Sequence, residues 1–328
     1  MVEIIRQISK ILSTKKWAVL IAWQVCSIIM CGCGTICHYL ATYYHETIPF
    51  LMMAGCYIIL LLTSCWRVPK RSKISWWKYL LTSVTLSIGD YVAVLGYNTT
   101  SLSSSMLLVT TVVFWVAPLS YYVFGRKINI YQFGAIFLAM TGSILVFVAE
   151  GTRGNKWVGN VLALTSAICY SIGTVVQELL VHNESLHTYI FRFSSGATPL
   201  AILLSCGFEW NTIKNYYWCT ESALLVIGYS VLLAIYDLIL SYVMQFSDAT
   251  TMNLSMLTAN FFSLGVSIIF FGQKASWLYL VGFCCVPTAI AIYHVFGMRP
   301  KESNDQLLPH EERSESSPET DEIDEIDC

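Results

Sequence analysis

The chain is divided almost from end to end into apolar runs of about 20 residues, the length that crosses the hydrocarbon core of a bilayer. Ten such runs lie near 18–38, 47–66, 79–97, 103–124, 130–149, 157–180, 188–208, 222–244, 250–271 and 276–296. Only 12% of the residues are charged and 55% are hydrophobic, whereas soluble domains carry about 25% charged residues. The pattern predicts an all-α membrane protein with ten transmembrane helices.

The placement of basic residues predicts how these spans are oriented. With the N-terminus inside, 14 of the 19 Lys and Arg residues fall on the cytosolic side, four in outside loops, and Arg192 within span seven. Cytosolic loops carry this excess of positive charge, so we expect both termini in the cytosol. Residues 1–16 then form a cytosolic N-terminus, and the acidic residues 299–328 form a tail that we expect to be disordered.

Composition and missing motifs argue against several functional classes. A net charge of −2 offers no basic surface for nucleic acid, so we expect no nucleic-acid partner. The 12 cysteines lie mostly in apolar runs, where they act as small buried hydrophobes more often than as metal ligands. The His-Glu-x-x-His and Gly-x-Ser-x-Gly motifs of hydrolases are absent from the sequence. We therefore expect no cofactor, no metal and no enzymatic activity.

The two halves of the chain resemble each other at a separation of about 147 residues. Asp90 in span three matches Asp237 in span eight, and Phe-Gly-x-Lys at 124–127 matches Phe-Gly-x-Lys at 271–274. Because each half has an odd number of helices, the second half must be inverted relative to the first. Inverted repeats are typical of transporters that alternate access around a midplane site. The sequence predicts five-helix repeats over 17–150 and 151–298.

Several segments resemble a known transporter family. They are Ala-Thr-Thr-Met-Asn-Leu-Ser-Met-Leu-Thr-Ala-Asn-Phe-Phe-Ser-Leu at 249–264, Gly-Tyr-Asn-Thr-Thr-Ser-Leu at 96–102, and Gln177-Glu178. Over roughly 18–297 the chain is similar to the drug/metabolite transporter superfamily, and within it to the F subfamily of solute carrier family 35. It departs from the family at Asn260, where an Asp is expected, and in span three, where Asp90 is the sole acid.

The resemblance implies the drug/metabolite transporter fold, with ten helices in a 5+5 inverted repeat and cytosolic termini. It also implies a central cavity built by spans one to four and six to nine, with spans five and ten outside it. Family 35 is known for nucleotide-sugar antiport in the Golgi, and the proposed substrates of the F subfamily are closer to nucleobases or nucleosides. The plasma membrane and the Golgi or other endomembranes both remain open as locations.

The candidate substrate-binding or coupling residues start with the ionisable groups inside spans. Such groups cost about 2.5–3.5 kcal/mol at a helix centre and persist where they face a cavity or a partner. The set comprises Asp90, Asp237, Glu178, Arg192, Tyr97, Asn253 and Asn260. Asp90 and Asp237 either bind the substrate or a proton, or have a structural role, in a hydrogen bond that closes a gate or in a buried ion pair with a basic group. Arg192 either pairs with Glu178 or Glu184 or binds the substrate.

The charges favour a solute transporter for a small neutral or cationic organic molecule, such as a nucleobase- or nucleoside-like solute. A nucleotide sugar carries a pyrophosphate that needs cationic partners, and Arg192 is the only basic residue inside the predicted spans. Nucleotide-sugar antiport and a non-transporting accessory role remain alternatives. The expected partners are the solute and the lipid bilayer.

A homodimer through spans five and ten is a further alternative. Span five has small residues at four-residue spacing, Ala135, Ala139 and Ser143, and span ten carries Cys285 and Ala289. Small residues let transmembrane helices approach closely, within one bundle or between two copies.

Overall fold

The structure, a computed structural model, describes most of the apolar part of the chain. The described residues are 7, 10–14, 16–44, 48–66, 74–99, 108–109, 111–150, 157–216, 218–259, 261–262, 265–266 and 277–296. Their helices are α1 (Lys16–Tyr44), α2 (Pro49–Ser64), α3 (Trp76–Thr99), α4 (Val112–Phe124), α5 (Ile130–Glu150), α6 (Trp157–Asn183), α7 (Leu186–Leu204), α8 (Thr220–Met244), α9 (Ala249–Met256) and α10 (Trp277–Phe296). The predicted acidic tail lies outside the described residues.

Helix ends follow the local chemistry of the sequence. Proline at position 49 opens α2, where its missing N–H costs nothing. The side chain of Ser185 accepts a hydrogen bond from the Thr188 amide at the start of α7, and Asp248 accepts one from the Thr251 amide at the start of α9. Gly125 ends α4 with φ of 66°, a left-handed conformation that glycine adopts without strain.

Four described helices are long and apolar enough to cross a bilayer: Trp17–Cys37, Trp157–Asn183, Leu186–Asn215 and Thr220–Met244. Shorter apolar helices run over Pro49–Ser64, Val112–Phe124, Ile130–Leu145 and Cys284–Tyr293. In lipid, a helix satisfies every backbone polar group within itself, which is why such segments cross as helices. The all-helical class is confirmed for the described residues, whereas the number of ten spans stays a prediction.

Large apolar side chains cover the outside of the helices. Ile28, Leu62, Phe137, Leu203 and Ile227 are each more than half exposed. An exposed apolar surface spread over α1, α2, α5, α7 and α8 would be unstable in water but is expected against acyl chains. The inside is packed by two main clusters, one around Trp23, Tyr57 and Tyr189, the other joining α4, α5, α9 and α10.

The strongest helix contacts follow a regular order. They pair α3 with α6 and α8 with α1, then α3 with α7 and α8 with α2, and then α4 with α6 and α9 with α1. Three further pairs join α2 to α7, α4 to α9 and α5 to α10. Replacing each helix by its counterpart five helices along the chain turns this set into itself.

The small-residue faces of α5 and α10 are used inside the chain. Ala135, Ala139 and Ala289 are almost fully buried, and a Cβ added to Gly142 would lie 2.9 Å from the Cβ of Cys285. These faces therefore bring the two helices of one chain together, as small residues do in membranes. A homodimer would have to use the outward faces of α5 and α10, and it stays a prediction.

Helix α7 ends differently from the sequence prediction. The predicted spans 188–208 and 222–244 leave a connecting loop between them, but the chain continues through a π-helical turn, Ser205–Glu209, and a short helix, Trp210–Asn215. A π-helical turn inserts one residue into the helix and turns the following side chains to a new face. It points the Glu209 side chain inward, where it is buried.

Candidate functional site

Two aspartates on counterpart helices form the centre of the candidate site, and we call them the aspartate pair. Asp90 on α3 accepts a short hydrogen bond from the Tyr170 hydroxyl on α6. Asp237 on α8 is 3.5 Å from the Cys56 thiol on α2, which donates to it. The two acids are 147 residues apart in sequence and occupy the corresponding helices of the two halves.

The aspartate pair lies among partly accessible side chains. Asp90 and Asp237 are only half-buried, and so are Tyr170 and Tyr236. Close packing of α3 against α6 makes this arrangement possible, because a Cβ on Gly89 would lie 3.0 Å from the Tyr170 ring. Partly accessible carboxylates and phenols inside a bundle can bind a polar or cationic solute by hydrogen bonds, charge and ring stacking.

An aromatic group joins three helices next to Asp90. The Tyr91 ring is 5.1 Å from the Phe50 ring of α2 and 5.0 Å from the Phe208 ring of the π-helical turn after α7. Stacked and tilted aromatic pairs at such distances contribute about 0.5–1.5 kcal/mol beyond their buried area. This group connects the aspartate pair to the end of the bundle that holds Glu209.

Glu178 forms a buried latch at the opposite end, which we call the Glu178 latch. Its carboxylate is fully buried and pairs with Arg126, which follows α4. The other carboxylate oxygen accepts a hydrogen bond of 2.8 Å from the Ala249 amide, at the start of α9. A carboxylate at a helix N-terminus satisfies a free N–H and complements the helix dipole. The latch therefore ties α4, α6 and α9 together.

Further polar contacts close the same end. The imidazole Nε2 of His182 lies 2.8 Å from the Met244 carbonyl and 3.1 Å from the Ser247 carbonyl, which fixes the end of α8. The indole N–H of Trp23 on α1 donates to the Ser247 hydroxyl at 3.2 Å. Together with the Glu178 latch, these contacts join α1, α6, α8, the start of α9 and Arg126, which follows α4, at one end of the bundle.

A second buried carboxylate holds the other end, and we call it the Glu209 latch. Its two oxygens accept hydrogen bonds from the Phe50 amide at 2.8 Å and the Leu51 amide at 3.0 Å, at the start of α2. Nearby, the Tyr39 hydroxyl donates to Glu221 at 3.1 Å. Among the described residues, no cation lies within salt-bridge distance of the Glu209 carboxylate, in contrast to Glu178.

At this end, just outside the α8 span, Cys219 caps the helix. Its Sγ lies 3.5 Å from the Tyr44 hydroxyl and 3.4 Å from the Ser222 amide. The hydrogen bond from Tyr44, with those from Ser222, lowers the pKa of the Cys219 thiol to about 7. A thiol with this pKa is half thiolate near neutral pH and is correspondingly nucleophilic.

The other predicted site residues have separate positions. Arg192 lies over the Tyr79 ring, 5.4 Å from its centroid, and the partner of Glu178 is Arg126. Asn253 is buried and donates to the Ala249 carbonyl at 2.8 Å, so it supports the start of α9. Asn260 and the side chain of Tyr97 lie outside the described residues. No group of three metal-ligating side chains occurs in the part of the chain that the structure describes.

Sequence reasoning missed three residues of this arrangement. Arg126 was counted among cytosolic loop cations, Glu209 was assigned to a loop, and Cys56 was treated only as a small hydrophobe. Glu209 could have been found, because an acid directly after an apolar run needs a partner when it is buried. No local pattern pairs Arg126 with Glu178, since 52 residues separate them.

The comparison with known families fits this architecture. A family model described as Solute carrier family 35 matches residues 12–295. The chain belongs to solute carrier family 35. The carrier is therefore an integral, multi-pass membrane protein of a solute transporter family.

Relatives of the carrier are distant in sequence. It is 24% identical to mouse solute carrier family 35 member F2 over 302 residues, which cover 87% of this chain and 80% of the relative. It is 25% identical to the Xenopus tropicalis member F2, covering 82% and 74%. An uncharacterized family member of Schizosaccharomyces pombe is 25% identical, covering 69% and 46%. The predicted family is thereby confirmed.

One solved structure resembles the carrier in fold. It superimposes with a TM-score of 0.66 at 11% sequence identity, covering 85% of this chain and 96% of the solved chain. At this identity the likeness concerns the fold alone.

Proposed function

We propose that the carrier moves a small neutral or cationic organic solute, such as a nucleobase- or nucleoside-like molecule, by alternating access. In this proposal residues 17–150 and 151–298 form two inverted five-helix repeats, and both termini are cytosolic. The observation that carries the proposal is the aspartate pair: Asp90 and Asp237 lie on the counterpart helices α3 and α8, and they accept hydrogen bonds from Tyr170 of α6 and Cys56 of α2, respectively.

The pattern of helix contacts supports the repeat. The strongest pairs are exchanged when each helix is replaced by its counterpart five helices on. A pseudo-two-fold axis relating the halves produces this exchange and places α2 against α7, α4 against α9 and α5 against α10. Two halves related in this way can rock against each other and expose a central site to either side.

The charges near the centre support a neutral or cationic solute. The aspartate pair supplies two acidic groups, and the partner of Asp90 is a phenol while that of Asp237 is a thiol. Arg126 lies beyond the end of α4, where it pairs with Glu178, and Arg192 lies over Tyr79. Phosphate groups of a substrate would need cations beside the aspartate pair, so nucleotide-sugar antiport is the less favoured alternative.

The positions of the two latches support the proposal that the carrier has a gate at each end of the bundle. The Glu178 latch joins α6 to α4 and α9, which belong to different proposed repeats. The Glu209 latch joins the turn after α7 to α2, which also belong to different repeats. Rocking of the repeats would have to break one latch and keep the other.

Uptake by the purified carrier in liposomes tests the proposal. A labelled panel of nucleobases, nucleosides, organic cations and nucleotide sugars is offered at two external pH values. We expect saturable uptake of a base, nucleoside or cation, and we expect Asp237→Asn and Asp90→Asn to abolish it without loss of folded protein. Asp248→Asn is the matched control, because Asp248 is an aspartate outside the pair and its capping role is kept by Asn.

Other outcomes would change the proposal in defined ways. Unchanged uptake by Asp237→Asn would remove Asp237 from the mechanism. Uptake of a nucleotide sugar, lost in Arg192→Gln, would overturn the argument from charge. Folded protein that moves no member of the panel would favour a non-transporting accessory role.

A further inference from the structure

A groove on the outer surface of the bundle runs between α4 and α5. It has a volume of about 450 Å³ and is lined mainly by apolar side chains, with one basic side chain at its end. Its walls include Phe114, Pro118 and Tyr121 of α4 and Phe133 of α5, with Ile128 and Arg126 from the connection between them. The groove exists because α5 packs chiefly against α10 rather than against α4.

The basic end of the groove is at the end of α4, which is cytosolic in the proposed orientation of the carrier. Tyr121 and Tyr122 are exposed in the last turn of α4, and tyrosines concentrate at the level of headgroups. Arg126 and Lys127 follow directly after the glycine that ends α4. The Arg126 side chain is 19% exposed, and Lys127 is exposed. The apolar walls of the groove begin at this level and continue toward the middle of α4.

We propose that this groove binds an anionic phospholipid of the cytosolic leaflet. One acyl chain lies along Phe114, Pro118 and Phe133, and the headgroup phosphate meets Arg126 and Lys127. Charge complementarity commits the groove to this occupant, because the cytosolic leaflet is rich in anionic lipids and basic residues beside a span attract them. The site needs no transport activity and stands apart from the aspartate pair.

The Arg126 guanidinium can serve both the lipid and the latch. Its Nη1 pairs with Glu178, and its Cζ lies over the Phe124 ring, 4.4 Å from the ring centroid. A guanidinium has five N–H donors in a planar fork, so pairing with one carboxylate leaves donors for a phosphate. The lipid headgroup and Glu178 thus share one cation at the end of α4.

Photo-crosslinking of the full-length carrier in nanodiscs tests the proposal. The probes are phosphatidylserine and phosphatidylcholine with the same diazirine on the acyl chain, and crosslinked peptides are mapped by mass spectrometry. We expect phosphatidylserine to label peptides covering residues 112–136 at least threefold more than phosphatidylcholine does. Equal labelling of these peptides by the two lipids would overturn the proposal.

Two variants and a control locate the preference. Lys127→Gln should halve the phosphatidylserine preference, and Arg126→Gln combined with Glu178→Gln should remove it without leaving a buried charge unpaired. Lys214→Gln, an exposed lysine after α7, should leave it unchanged. If the double variant does not fold, the test rests on Lys127→Gln alone. An unchanged preference of that variant for phosphatidylserine would overturn the proposal. Loss of labelling in millimolar inorganic phosphate would indicate a free-phosphate site instead and also overturn it.

Discussion

Glu178 and Glu209 each stabilise the start of a helix, at opposite ends of the bundle. Each is a buried carboxylate of the second proposed repeat that caps a helix, α9 of the same repeat for Glu178 and α2 of the first repeat for Glu209. Glu178 also has a salt bridge to Arg126, whereas Glu209 is held by two backbone amides and by the Ser205 hydroxyl at 3.5 Å. One end therefore depends on a pair of charges, and the other on the dipole of a helix.

This difference predicts unequal sensitivity of the two ends. Removing one member of a buried ion pair leaves an uncompensated charge in a medium that solvates it poorly. Removing the charge of a carboxylate held by amides weakens hydrogen bonds but leaves no opposite charge behind. We expect the Glu178 end to be the more damaged by a single substitution and the Glu209 end to open at a lower free-energy cost.

The largest effect is expected from Arg126→Gln. It leaves the fully buried Glu178 without its cation and should lower the free energy of unfolding by about 3–5 kcal/mol. The measurement is the folded fraction after heating in detergent, followed by size-exclusion chromatography. Adding Glu178→Gln should restore at least half of the loss, and Lys127→Gln is the neutral control. Equal loss in the single and double variants would contradict the ion-pair account.

A smaller effect is expected from Glu209→Gln. The amide keeps one acceptor for the α2 amides but loses the charge, which should cost about 1.5 kcal/mol. The same heating assay measures it, with Glu221→Gln as the matched control because Glu221 is exposed. If Glu209→Gln proves as damaging as Arg126→Gln, the contrast between the two ends is wrong.

Removing the helix cap beside the Glu178 latch, Asp248, should lower the free energy of unfolding by still less. Asp248 accepts hydrogen bonds from the Thr251 amide at 2.7 Å and the Thr251 hydroxyl at 3.1 Å. Loss of such a cap in Asp248→Ala should cost about 1 kcal/mol, while Asp248→Asn should cost close to nothing because Asn caps equally well. A large loss in Asp248→Asn would mean that the negative charge itself matters there.

The smallest change in stability is expected from Tyr44→Phe, but this substitution should change the reactivity of the Cys219 thiol. The pKa of Cys219 is lowered to about 7, first by the Tyr44 hydroxyl, so its thiolate fraction rises from low pH to half at about pH 7. Without that hydroxyl the pKa should rise toward 9, and labelling by a maleimide at pH 7 should slow several-fold. Cys219→Ser supplies the background from other cysteines. An unchanged pH profile in Tyr44→Phe would show that another group sets the Cys219 pKa.

The fold was largely predictable from the sequence because its main signal is local. Each apolar run overlaps a described helix, and three of the described helices contain a proline, at 118, 199 and 287. Bilayer thickness sets the length of a run, and the chain must satisfy its own backbone within it. The predicted end of α7 was wrong, because a π-helical turn changes the register of the helix without changing the composition of the sequence.

The candidate site was predictable only where the repeat marked it. Asp90 and Asp237 could be matched by their spacing, and each accepts a hydrogen bond from a neighbouring helix. The pairing of Arg126 with Glu178, and of Glu209 with the start of α2, depends on how helices far apart in sequence pack. A loop cation and an acid beyond a span have many alternative partners in the sequence alone, and packing selects one.

The close contact between α5 and α10 has a practical consequence. Where Gly142 stands, an added Cβ would lie 3.0 Å from the Gly282 carbonyl, so the backbones of α5 and α10, one from each proposed repeat, are in close contact, and rocking of the repeats would have to pivot here. Spin labels on their outward faces, for example at Phe137 and Thr288, should report one fixed distance whatever state the carrier adopts. That distance would serve as an internal ruler against which every other labelled pair in the molecule can be calibrated.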